Sequence, residues 1–76
     1  MPDRLPRVTA AQALRALLRD GWYVSRQSGS HAVLHHPAKP GRVVVPRHAG
    51  VILKPGILSG IIKDAGLSVE EFRELL

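Results

Sequence analysis

Gln27-Ser28-Gly29-Ser30-His31 is the stretch on which the chain turns. It closes one extended segment and opens another that ends at His35-His36-Pro37, so a Gly-Ser turn delivers an imidazole to the head of a strand. Upstream, Trp22-Tyr23-Val24-Ser25-Arg26-Gln27 is rich in aromatic and β-branched residues and too short for a helix. That predicts a first strand, with Trp22 and Val24 on one face. Downstream, His31 to His36 is the second strand, and Ala38-Lys39-Pro40-Gly41 is a turn cluster that extends neither neighbour. Arg42-Val43-Val44-Val45-Pro46 is the third, and the three make an antiparallel meander that needs a cover on one face.

Flanking sequence supplies it. Thr9-Ala10-Ala11-Gln12 has the form of a capping box and starts a helix whose apolar stripe is Leu14, Leu17 and Leu18 with Ala10 and Ala13. Arg15 and Arg19 point elsewhere, and Gly21 is the left-handed stop. After the loop Pro46-Arg47-His48-Ala49-Gly50, proline is tolerated in a first turn at Lys54-Pro55-Gly56. Leu58, Ile61, Ile62 and Ala65 then recur at helical spacing until Gly66. A second capping box, Ser68-Val69-Glu70-Glu71, opens a short last helix with Phe72 and Leu75 or Leu76 as its contacts. The order predicts an α+β fold of two layers, one domain over residues 1–76.

Seventy-six residues allow only a small, economical core. The absence of cysteine removes disulfides and thiolate metal sites and fits a reducing cytoplasm. No apolar run approaches the ~20 residues of a membrane span. The net charge is +5, and it is unevenly placed. From Gly21 to Lys63 there is no Asp or Glu, while Arg26, Lys39, Arg42, Arg47, Lys54, Lys63 and all four histidines lie inside those limits. The last stretch carries Asp64, Glu70, Glu71 and Glu74 against Arg73. A basic body of this density attracts a polyanion, of which nucleic acid is the common cellular example.

Chemistry on RNA needs little equipment. If the 2′-hydroxyl is deprotonated and aimed at the adjacent phosphate the strand cuts itself, so a base or acid, a cation and positioning suffice. Imidazole, with an unperturbed pKa of about 6.5, exchanges a proton near neutrality. His31 has the position for that role, and Gly29 and Ser30 allow a phosphate close to backbone amides; the alternative is an exposed turn histidine without a role. On a regular strand His31, Val33 and His35 share a face and His36 lies on the other. His35 and His36 read best as ordinary polar positions, while His48 beside Arg47 either helps to bind phosphate or orders its loop. No metal is expected, since histidines without cysteine or nearby carboxylate make a poor ligand set. Arg26, Lys39, Arg42, Arg47, Lys54 and Lys63 are candidate phosphate contacts, Lys54 foremost because it stands near a helix start.

The same residues carry a family resemblance. Leu5-Pro6-Arg7-Val8, Arg26-Gln27-Ser28-Gly29-Ser30-His31, Val43-Val44-Val45-Pro46-Arg47-His48, Leu53-Lys54-Pro55-Gly56-Ile57-Leu58 and Ala65-Gly66-Leu67-Ser68, in this order, resemble the HicA family of small toxins, the mRNA interferases of HicA/HicB pairs. The likeness runs from about Leu5 to the C-terminus. It implies a fold like the double-stranded-RNA-binding domain, α-β-β-β-α with a short extra helix, and ribosome-independent, cofactor-free cleavage of mRNA that depends on His31. It further implies a free monomer that joins a HicB-like antitoxin in a hetero-oligomer. Val51-Ile52 and Ile57 stand where polar residues are common in the family, which makes the surface near the second helix greasier. A rival reading keeps the fold and the basic face but not the cutting: an RNA-binding module that grips shape and phosphates.

Overall fold

A computed structural model describes residues 4–47 and 51–76. The elements run α1 (Ala10–Arg19), β1 (Tyr23–Ser28), β2 (His31–His35), β3 (Val43–Pro46), α2 (Pro55–Asp64) and α3 (Val69–Glu74). The sheet is antiparallel in the order β1-β2-β3, and both α1 and α2 pack on β3. This is the expected α+β arrangement, α-β-β-β-α with a short third helix, similar to the double-stranded-RNA-binding fold.

Local signals explain where the helices begin and end. Both capping boxes form: the Gln12 amide donates to Thr9 Oγ1 at 3.2 Å while Thr9 N–H donates to Gln12 Oε1 at 2.8 Å, and Ser68 with Glu71 repeats the exchange. At the end of α1, Trp22 N–H reaches back to the Leu17 carbonyl and Gly21 N–H to that of Leu18. Leu67 and Gly66 close α2 in the same way on Ile62 and Lys63. This paired closure satisfies the last carbonyls and throws the next apolar residue back onto the helix.

The buried face of α1 differs from the expected stripe. Ala10, Ala13, Ala16 and Leu17 are buried, Leu14 is half-buried and Leu18 is exposed. Three alanines three residues apart let the helix backbone approach the sheet closely, so the contact line runs through the small residues and Leu14 and Leu18 flank it. Trp22 is buried but precedes β1 instead of opening it, and Val24, expected on its face, is exposed on an edge strand. Ala32 and Leu34 of β2 and Val43 and Val45 of β3 face the helices and meet Leu58, Ile61, Ile62 and Phe72 in one core.

The opposite face of the sheet has no helix on it, and a bulge decides what it presents. The β1–β2 register slips between Val24 and Arg26, so that Arg26 pairs with Val33 and Ser28 with His31. In unbroken register Arg26 would oppose Ala32 on the helix side. The extra residue, Ser25, is tied down by its hydroxyl donating to the Val33 carbonyl at 3.1 Å, and Arg26 is carried to the open face.

Candidate active site

His31 is the first residue of β2 and pairs with Ser28 on one side and Pro46 on the other. Directly opposed residues share a face, and Ala32 beside it faces the core, so the His31 ring stands on the open face. It is exposed and makes no side-chain hydrogen bond among the described residues. A groove of about 510 Å³ begins at this ring and runs past Val44 and Pro46 to Val51, Ile52, Lys54 and Ile57. Val44, Val51, Ile52 and Ile57 are all solvent-exposed, so the wall opposite the histidine is apolar, as expected of the second-helix region, with Lys54 as its cation.

Lys54 is the residue before α2, is exposed, and its ammonium has no hydrogen-bond or ion-pair partner among the described residues. Pro55 has no amide hydrogen, and the first-turn amides that remain add partial positive charge there. Arg26 stands on the same face as His31 from the β1 side, two pairs further along the ladder, opposite Val33. Among the described residues no carboxylate lines the groove. Lys63, in the last turn of α2, is exposed and is not among the lining residues; nine residues of helix separate it from Lys54 by about 13 Å. His35 shares the open face but lies about 13 Å along the strand from His31, too far for both to act on one phosphate. The expectation for His48 falls outside the described residues.

The remaining expected residues are split away from His31. Gly29, Ser30 and Arg47 line a different groove, on the helix side of the hairpin end, together with Gln27 and Arg15 of α1. Arg47 extends the ladder by donating its amide to the Ser30 carbonyl, and its guanidinium reaches Gln27 Oε1 at 2.8 Å. Arg15 was not a candidate from sequence, where the stripe argument only turned it outward. Its place one helical turn after Ala11 is the signal that, with a fold in hand, sets it over the hairpin turn.

Lys39 and His36 have other work. The Lys39 ammonium lies 2.6 Å from Asp20 Oδ2 and 3.0 Å from the Ala65 carbonyl, so this cation is paired within the fold. Asp20 Oδ2 also accepts from Trp22 Nε1 at 3.1 Å. His36 Nδ1 accepts from the amides of Ala38 and Lys39, at 2.9 and 3.2 Å, and this fixes the proton on Nε2, which donates to the Asp20 carbonyl at 2.8 Å. The ring stands edge-on to Trp22 with centroids 5.2 Å apart. This corner ties α1, the β2–β3 connection and the end of α2 together. No three histidine, aspartate or glutamate side chains among the described residues are grouped to hold a metal ion.

Fold and face together define a small α+β protein with an exposed histidine on a sheet surface that carries no carboxylate among the described residues. The family model of the HicA toxin of bacterial toxin-antitoxin systems matches residues 10–67, which span α1, the whole sheet and α2. The chain therefore belongs to the HicA toxin family, and an antitoxin is its partner. No curated protein matches it. Among the described residues no helix is long and apolar enough to cross a membrane.

Proposed function

We propose that this toxin is an endoribonuclease that cuts mRNA without a metal ion, with His31 as its general acid or base. The observation that carries the reading is the open His31 ring at the head of a groove whose one charged lining group among the described residues is Lys54. In the reaction O2′ bonds to phosphorus as the P–O5′ bond breaks. The 2′-hydroxyl gives up its proton and the leaving 5′-oxygen gains one, so the products are a 2′,3′-cyclic phosphate and a 5′-hydroxyl. His31 takes the first proton or gives the second, with water completing the exchange. Lys54 and Arg26 stabilise the charge gathering on the phosphoryl oxygens.

The same groove suits a HicB-like antitoxin. Val44, Val51, Ile52 and Ile57 offer apolar area beside His31, and a partner seated there covers the ring and the cation together. RNA entry and antitoxin binding then exclude each other.

Incubation of purified protein with mRNA in EDTA, beside His31→Ala, tests the reading. Cleavage by the parent with cyclic-phosphate ends, absent in His31→Ala, is expected. Equal cleavage by both sinks the role of His31. Intact RNA recovered from a tight, salt-sensitive complex with either protein replaces the nuclease by a binding module.

A further inference from the structure

We infer that a second RNA-backbone subsite lies on the helix side of the hairpin end and holds phosphates of the same single strand beyond the one cut at His31. The inference rests on the nuclease reading for what happens at His31, and not for the binding itself. The groove there, about 440 Å³, is walled by Arg15 from α1 and Arg47 after β3, with Gly29 and Ser30 at the turn between. Among the described residues no carboxylate lines it. Gln27 occupies one donor of Arg47 and aims the guanidinium, leaving the other donors for a ligand. Arg15 makes no side-chain hydrogen bond among the described residues. It also walls the adjoining groove, shared with Arg7 and Arg19, so positive charge continues from the hairpin along α1.

The chemistry of this groove separates its ligand from a protein partner. The exposed aliphatic side chains Val44, Val51, Ile52 and Ile57 all belong to the His31 groove, whereas the second sets two guanidinium groups and the turn backbone beside a shallow apolar floor of Ala10, Ala11 and the half-buried Leu14. A protein interface is anchored by buried apolar or aromatic groups; a sugar-phosphate backbone requires only donors. Between the two grooves the Gly29-Ser30 turn forms an exposed ridge, and nothing lies within 4 Å of the space a Cβ on Gly29 would take. A single strand bends over so narrow a ridge; a stiff duplex does not.

Binding is measured in the His31→Ala background, so that RNA survives, using a labelled dinucleotide and a labelled single strand of about twelve nucleotides. Arg15→Gln and Arg47→Gln are each expected to weaken the longer strand by about threefold to tenfold and to lower its salt slope by about 0.7, with the dinucleotide affected less than about twofold. Arg15→Lys restores most of the loss. Arg73→Gln removes an exposed charge on α3 that lines neither groove and is expected to match its parent. Equal losses on both lengths, or no loss on the longer strand, overturn the subsite. So does weakened antitoxin binding with RNA affinity intact, which gives the groove to the protein partner, or a duplex that binds more tightly than the single strand in an Arg15-dependent way. Because the readout is binding by a protein that cannot cut, an inactive parent protein defeats the nuclease proposal without touching this one, and the converse holds.

Discussion

Two histidines five residues apart, at opposite ends of one strand, have opposite fates. His36, just past β2, spends both ring nitrogens on backbone groups and its edge on Trp22, and the cation beside it, Lys39, is neutralised by Asp20. His31, at the head of the same strand, has no partner among the described residues, and the cations around it, Arg26 and Lys54, meet no carboxylate there. A ring whose acceptor and donor are both engaged has nothing left to exchange with a substrate. Available chemistry therefore tracks missing partners and not residue type: one corner of the sheet holds the fold together, and the other is left open for a ligand.

The sharpest way to break this contrast is to remove each ring. His31→Ala is expected to lower RNA cleavage by about 10²- to 10⁴-fold, the usual worth of general acid–base catalysis, while the unfolding midpoint stays put. His36→Ala should do the reverse. It strands the Asp20 carbonyl and the amides of Ala38 and Lys39, for a loss of about 2–3 kcal/mol by denaturant unfolding, with the rate per folded molecule unchanged. Gly21→Ala attacks the same corner from the backbone. Its φ is +102°, and the added Cβ would meet His36 Nε2 at 2.8 Å, so a similar destabilisation of about 2–3 kcal/mol is expected. A slow but fully stable His36→Ala protein would mean that the two ends are not divided as described.

Exchanging the two lysines probes the same division with smaller effects. Lys39→Met removes the ion pair with Asp20 and the bond to the Ala65 carbonyl from a partly buried site, costing about 1–2 kcal/mol in stability. Its RNA affinity is expected to stay within about twofold. Lys54→Met should leave stability alone, raise KM for RNA by about threefold to tenfold and reduce the salt slope of binding by about 0.7. A salt slope that falls with Lys39 would return that residue to the binding face.

Much of this architecture was readable in advance because it is local. The capping boxes at Thr9 and Ser68, the glycine stops at Gly21 and Gly66 and the alternation of β3 each involve residues within a turn or two of one another, and each formed. What could not be read depends on distance in the chain or on a single-residue slip. The three-residue repeat of alanines in α1 matters only once a sheet lies against it, and hydrophobic size alone favours Leu18 over Ala16. The bulge at Ser25, which carries Arg26 to the open face, leaves no pattern in an edge strand exposed along its length. Lys39 looked as free as Lys54 because its partner, Asp20, lies outside the acid-free interval and nineteen residues away. Ser30 and His31 are adjacent in the chain, yet the strand pleat sends them into different grooves.

The mildest test falls on the hairpin glycine. Gly29 has φ +57°, and a Cβ there would touch nothing within 4 Å, so Gly29→Ala is charged only for the left-handed backbone, about 1 kcal/mol. Gly29→Asn should cost less still, since asparagine visits that region readily. Set beside Gly21→Ala, the two substitutions share a backbone penalty and differ in packing, so the difference of about 1–2 kcal/mol between them measures how much more tightly the His36 corner is built. Function should invert the order. A methyl on the ridge stands where a strand crosses from one groove to the other, so Gly29→Ala is expected to slow cleavage of long RNA more than that of a dinucleotide, whereas Gly21→Ala, once folded, treats both alike. Equal unfolding costs at the two glycines would mean that the turn is packed against something, and the open end would have to be redrawn.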